Sequence, residues 1–331
     1  MVDFTVYKGS SNGAITKATT SRPIHPHEVL VRITHSGLCG TDVHFKHVSQ
    51  GLGHEGAGVV EQVGSAVTLH ATGDRVGWGY NHFSCGHCKQ CLRGADTLCP
   101  ERKMYGAADL DQGSMGSHAV WHEGFVYKIP EGIDNAHAAP LQCGGATVFS
   151  ALQLYGVKST ERVGVLGVGG LGHLAIQYAR AFGCEVVVFS GTDSKREEAM
   201  RLGAKEFYAM KGVKEGELQC RPVDHLLVCT SEMPDWKLYL PLMAPGGAIY
   251  PLTVSFGNLD IPVMPVILAA LRIQGSLVAD RQTHREMLEF SAFHGIKPMI
   301  NEFKMNEKGI EEAFRVLGSG DMKYRGVLVA E

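Results

Sequence analysis

Residues Glu161 to Ser190 read ERVGVLGVGGLGHLAIQYARAFGCEVVVFS, and the reading of this stretch decides the fold. A β-branched run, Val163 to Leu166, enters the turn Gly167-Val168-Gly169-Gly170-Leu171-Gly172. An amphipathic helical stretch follows, and then a second strand over Glu185 to Phe189. Strand, glycine turn, helix and strand within about thirty residues is the pattern of a dinucleotide-binding βαβ unit. The glycines permit the tight turn and let backbone N–H groups at the helix start meet a pyrophosphate. Strand and helix signals continue through VDHLLVCT, GGAIYPL and LRIQGSLV. The spacing therefore predicts an α/β fold with a doubly wound parallel sheet.

The tip of the second strand selects the dinucleotide, because NAD-binding proteins carry an acid there for the ribose 2′-OH. Here the strand ends in Ser190, followed by Gly191, Thr192, Asp193, Ser194, Lys195 and Arg196. Without a carboxylate to repel it, a 2′-phosphate can accept hydrogen bonds from Ser190 and Thr192 and charge from Lys195 and Arg196. This predicts NADP(H). The rival reading makes Asp193 the ribose acid, although Gly191 and Thr192 carry it past the strand tip.

Outward from this unit, the stretch Ser84 to Cys99 reads SCGHCKQCLRGADTLC. Cys85, Cys88, Cys91 and Cys99 match a closed tetrahedral zinc site, with an iron–sulfur centre as the rival. His87 lies inside the cluster as a bystander. A four-cysteine site has no open coordination position, so this metal orders a loop and the chemistry lies elsewhere.

Two further cysteines sit in glycine-rich contexts, Cys39 in SGLCGTDVH and Cys143 in LQCGGAT, with His54 and Glu55 between them in GLGHEGAG. Cys39, His54 and Cys143 together make a three-ligand set that leaves a fourth position open, which is the composition of a catalytic zinc. Cys184, Cys220 and Cys229 have no ligand-like company and read as packing residues.

These motifs resemble those of the zinc-dependent medium-chain alcohol dehydrogenases, most nearly the cinnamyl alcohol dehydrogenase group. GHE, the four-cysteine lobe, LQCGGATVFSAL, GVGGLG, MLEFSAFHGIKP and KYRGVLV all occur in the expected order, so the resemblance covers essentially the whole chain. It implies a GroES-like, mostly β catalytic domain over residues 1–144 and 281–331 and a Rossmann cofactor domain over 145–280. It implies two Zn2+ per chain, the catalytic one on Cys39, His54 and Cys143, with Glu55 able to approach the metal. Asp42 becomes the acceptor for the His54 ring N–H. Thr41 contacts the reacting oxygen, and His44 exchanges the proton with solvent through the cofactor ribose. Arg325 reaches the cofactor pyrophosphate, and Thr147 and Ser276 are further cofactor contacts. Trp78 and Tyr80, ahead of the four-cysteine lobe, are expected to line an aromatic-tolerant pocket.

One departure stands out. The segment between Cys39 and His54, GTDVHFKHVSQGLG, is shorter than the family's and lacks its proline-rich approach to GHE. A shortened loop reshapes the substrate cleft, so reductases of larger carbonyls, iminium ions or conjugated alkenes stay open beside aldehyde reduction. A zinc-free quinone or enone reductase would lack both cysteine sets. A non-enzymatic NADPH-binding sensor would have little reason to keep an open metal site beside Thr41 and His44.

Composition limits the partners. The 331 residues are 44% hydrophobic and 20% charged with a formal net charge of -3, and no Lys/Arg run exceeds two residues, so nothing favours nucleic acid or an anionic membrane. The opening MVDFTVYKGSSNGAITKATT has no basic segment leading into an apolar one, so a soluble, cytosolic protein with small-molecule partners is expected, and the resemblance implies an aldehyde or alcohol as that small molecule. The apolar PVMPVILAALRIQGSLV resembles the edge through which these enzymes pair as homodimers; a buried strand would read the same.

Overall fold

The computed structural model describes residues 1–330, and the chain divides into two units, Met1–Ala146 with Val278–Glu331, and Thr147–Leu277.

The second unit is built on the βαβ stretch. Six strands form one parallel sheet: Arg162–Leu166, Glu185–Ser190, Glu206–Ala209, Val223–Val228, Met243–Pro251 and Arg272–Ile273. Counted in chain order they lie 3-2-1-4-5-6, the doubly wound order expected from the sequence. Val163, Val165, Val186, Val187 and Val188 are all completely buried, as strands covered by helices on both faces require. The helix Gly172–Ala181 begins at the last glycine of the turn. A Cβ on Gly172 would overlap the carbonyl oxygen of Gly167, and Gly167 itself has φ +90°. Only glycine fits either place.

In the first unit a hairpin, Val2–Lys8 with Thr16–Arg22, precedes a seven-stranded sheet. The long strand Glu28–Leu38 organises that sheet. Gly56–Val63 pairs along one edge of it, while His118–His122 and then Arg325–Val329 share the other. Gly326 lies opposite Leu38, so the C-terminal strand begins beside the residue preceding Cys39. The core beneath holds Val29, Val31, Ile33, Val60, Val76, Met115 and Leu328.

Trp78 belongs to that core, which corrects the expectation that it lines a pocket. It is 1% exposed, and its indole fills the space a side chain on Gly56 would take. The strand Arg75–Trp78 turns this position inward, so the ring is spent on packing.

Candidate metal centre and cofactor turn

The long strand ends at Leu38, and Cys39 caps the short helix Gly40–Phe45. Its sulfur accepts the backbone N–H of Thr41 at 3.5 Å, and one oxygen of Asp42 accepts the Cys39 N–H at 2.9 Å. The other Asp42 oxygen lies 3.0 Å from Nδ1 of His54. One buried carboxylate thus fixes both residues, and by accepting at Nδ1 it leaves Nε2 of His54 to face the cluster. Cys143 comes from a single π-helical turn, Leu141–Gly145, between the helices Asn135–Pro140 and Ala146–Gln153.

The cluster closes in space although Cys39 and Cys143 lie 104 residues apart. One ligand atom from each of Cys39, His54, Glu55 and Cys143 lies within 4.8 Å of all the others. Nε2 of His54 and Oε2 of Glu55 are buried without a hydrogen-bond partner. Two orphaned polar atoms among sulfurs are costly in a closed protein interior unless something else satisfies them; a cation does so, and the donor set suits zinc.

The buried groups perturb one another strongly. A hydrogen bond with Cys143 lowers the Cys39 thiol well below its ordinary value, and the same contact together with burial raises that of Cys143. Burial opposes a charged His54, but Asp42 and Cys39 outweigh it and hold the ring well above its usual range. Glu55 is raised by burial to about 7, with Arg325 pulling the other way. Arg325 donates to Oε1 of Glu55 and is buried with it. The structure thus ties Arg325 to the carboxylate beside the cluster, a partner not foreseen in the sequence. Gly37 makes room for this pair, since a Cβ there would overlap the Glu55 carboxylate.

Thr41 places its hydroxyl 3.6 Å from the Cys39 sulfur. His44 is exposed one helical turn further on, on the same face. Tyr80 sets its ring edge-on to His54 at 5.6 Å between centroids, so the structure brings it to the cluster. Sequence reasoning missed Tyr105, whose ring stacks on His54 at 4.7 Å and whose hydroxyl accepts the Gly53 N–H at 3.1 Å. The only signal was its place shortly after the four-cysteine lobe.

That lobe also assembles. Sulfur separations of 3.5 Å for Cys88–Cys91, 3.6 Å for Cys85–Cys99 and 4.0 Å for Cys85–Cys91 match the edges of about 3.8 Å of a tetrahedron with Zn–S bonds of about 2.3 Å. His87 donates to the Cys85 carbonyl at 2.8 Å.

In the second unit, Gly169 has no protein atom within 4 Å of where its Cβ would stand, which leaves the backbone of the turn open to close approach. Ser190 ends its strand nearly buried, and Thr192 shares a 2.8 Å bond with Ser194. Lys195 reaches back to the Val168 carbonyl at 2.6 Å, so its charge lies over the glycine turn. Arg196 pairs with Asp193, donates to the Phe207 carbonyl at 2.9 Å and lies over the Phe207 ring. Asp193 is thereby occupied as well. Ser276 keeps a buried hydroxyl without a partner, and Thr147 stands at the start of this unit.

A buried group of side chains able to hold a metal ion in one unit and a glycine turn of dinucleotide-binding type in the other are the elements of an oxidoreductase class. Comparison with known proteins agrees. Residues 25–131 match the alcohol dehydrogenase GroES-like domain and residues 170–292 the zinc-binding dehydrogenase domain. A probable formaldehyde dehydrogenase, AdhA, of Bacillus subtilis is 36% identical over 320 residues, covering 93% of this chain and 91% of that protein. The cinnamyl alcohol dehydrogenase SbCAD4 of Sorghum bicolor superposes with a TM-score of 0.89 at 29% identity, over 99% of this chain and 98% of that one. The CAD of Helicobacter pylori, solved in complex with NADP(H), gives 0.88 at 28% identity over the same shares. The chain belongs to the zinc-dependent medium-chain alcohol dehydrogenase family.

Proposed function

We propose that the protein is an NADP(H)-dependent zinc alcohol dehydrogenase that interconverts aldehydes or ketones and alcohols, working as an aldehyde reductase. The observation that carries this reading is the convergence of Cys39, His54 and Cys143 around the unpartnered His54 Nε2, with the Thr41 hydroxyl beside them. These three residues would hold the catalytic zinc, and Cys85, Cys88, Cys91 and Cys99 a structural one.

When bound, the zinc supplies Lewis-acid polarisation of the substrate oxygen and NADPH supplies the hydride. The chain's residues do the rest. Asp42 keeps His54 in the tautomer whose Nε2 is free to coordinate. Thr41 delivers the proton that the reduced oxygen must gain, and exposed His44 replenishes it from solvent. Glu55, balanced by Arg325, sets the local charge near the ligands. Ser190, Thr192 and Lys195 would receive the 2′-phosphate, and the occupation of Asp193 by Arg196 supports NADP(H) over NAD(H). The NADP(H) complex of the H. pylori relative supports it too.

A homodimer fits the exposed Val263, Met264, Ile267 and Leu268 beside the edge strand Arg272–Ile273, an apolar surface of the kind that marks an interface.

The test is the initial rate of NADPH and, separately, NADH oxidation by zinc-replete protein with cinnamaldehyde and benzaldehyde. Turnover preferring NADPH is expected. NADPH binding without turnover on either aldehyde would overturn the substrate class and point to larger carbonyl, iminium or enone substrates.

A further inference from the structure

Behind Cys143 lies a polar contact that none of the roles above uses. Gln142, the residue before the ligand, is completely buried within the π-helical turn. Its Nε2 donates to the Ala138 carbonyl at 3.1 Å, and its Oε1 lies 2.8 Å from Nε2 of His284. The first contact fixes the amide's orientation, because a carbonyl can only accept. The oxygen therefore faces His284, whose Nε2 must carry the proton. His284 comes from the helix Arg281–His294, 142 residues away, is 4% exposed, and stacks on Tyr127 with centroids 3.9 Å apart and planes 10° from parallel.

The strand in front leaves this arrangement no slack. A Cβ on Gly77 would overlap the Gln142 amide, and one on Gly79 would overlap the Gln142 backbone carbonyl. A π-helical turn is a wide, irregular segment whose ladder does not fix its residues as firmly as an α-helix does, and such turns occur at functional sites. Here the turn that presents Cys143 is pinned from behind by one hydrogen bond and in front by two glycines.

We propose that Gln142 and His284 are positioning residues for the metal centre: their hydrogen bond holds the π-helical turn so that the Cys143 sulfur stands at the distance from Cys39 and His54 that a tetrahedral ion needs. Neither residue touches the metal or the substrate, and the proposal rests on the metal reading above. Outer partners that orient ligands typically contribute about 10- to 100-fold in metal affinity.

The experiment uses the full-length chain, stripped and reloaded with Co2+, which reports thiolate ligation by its absorption spectrum. His284→Phe keeps the stack on Tyr127 and removes the donor; Gln142→Met keeps the volume and removes the acceptor. Expected for each is an affinity loss of about 10- to 100-fold at the three-ligand site in chelator competition, with altered cobalt bands. The four-cysteine site, to whose cysteines neither side chain is hydrogen-bonded, should keep its metal and serves as the internal control. The double variant should lose no more than the worse single one, because both remove the same bond. Should one variant fail to fold, the other carries the same expectation. Unchanged affinity and spectrum with a lowered melting temperature would make the pair merely structural and overturn the proposal. If the unmodified protein takes up cobalt only at the four-cysteine site, the metal reading itself falls, an outcome the variants do not affect.

Discussion

The carboxylate of Asp42 holds both the Cys39 backbone N–H, at 2.9 Å, and Nδ1 of His54, at 3.0 Å. Two metal ligands fifteen residues apart in sequence are therefore oriented by a single buried side chain. Asp42→Asn keeps the shape but presents one oxygen and one N–H group where two oxygens are needed, so one of the two contacts is lost. A fall in metal affinity of about 10- to 100-fold at the three-ligand site is expected, measured by chelator competition, with the four-cysteine metal retained.

Removing a ligand is more severe. Cys39→Ser or Cys143→Ser should abolish turnover while NADPH still binds, since the glycine turn and Ser190 belong to the other unit. Fluorescence titration with NADPH alongside steady-state rates separates the two effects. Turnover within about tenfold of the parent in either variant would remove that sulfur from the mechanism, because loss of a catalytic group ordinarily costs far more.

The glycine turn offers a contrast between two neighbouring positions. Gly172 has no room for a Cβ against the Gly167 carbonyl, whereas Gly169 meets no protein atom at all. Gly172→Ala should cost about 1–3 kcal/mol of stability, read from urea midpoints. Gly169→Ala should leave the midpoint unchanged and weaken NADPH binding, because the added methyl intrudes only on the space a pyrophosphate would take.

How far the sequence foretold this molecule depends on the range of each interaction. The six-stranded parallel sheet was legible because the turn at Gly167 and the valine runs on either side of it are local signals. Cys39, His54 and Cys143 were legible because their residue types are rare and sit in short glycine-rich motifs. Trp78 was misread as a pocket residue because facing is set by the strand's register against Gly56, which no local pattern displays. The contacts of Arg196 were hidden for a similar reason: the Phe207 ring and carbonyl it meets lie eleven residues away on the next strand. Gln142 and His284 were invisible and Tyr105 nearly so, since each acquires its place only when distant segments meet.

The coenzyme preference turns on Ser190. Ser190→Asp places a carboxylate at the strand tip, where it would repel a 2′-phosphate and accept from a ribose hydroxyl. The ratio of kcat/KM for NADPH to that for NADH should fall about tenfold or more. Lys195→Ala should weaken NADPH selectively, while Arg196→Ala should change neither coenzyme appreciably because its guanidinium is engaged at Asp193 and Phe207. A strong NADPH defect in the Arg196 variant would show that this side chain leaves Phe207 when the coenzyme binds.

His284 also gives the fold an acid sensitivity. Burial, helped by the positive charge of Arg285, pushes it down to about 3, and the neighbours facing it are Tyr127 and Gln142, neither of which offers a negative charge at neutral pH. In the unfolded chain the imidazole titrates near its ordinary value of about 6.5. Above that value the ring is neutral in both states and contributes no pH dependence. As pH falls below it, the unfolded chain takes up a proton that the folded protein refuses, so stability declines by about 1.4 kcal/mol per pH unit until the folded ring titrates. The sign is that of a base whose folded pKa is depressed: its contribution is complete above the unfolded value and is lost on acidification. His284→Phe removes the titrating group and keeps the stack, so its urea midpoint should fall less steeply than the parent's between pH 7.5 and pH 5. Equal slopes for the two proteins over that range would place the acid sensitivity on other residues.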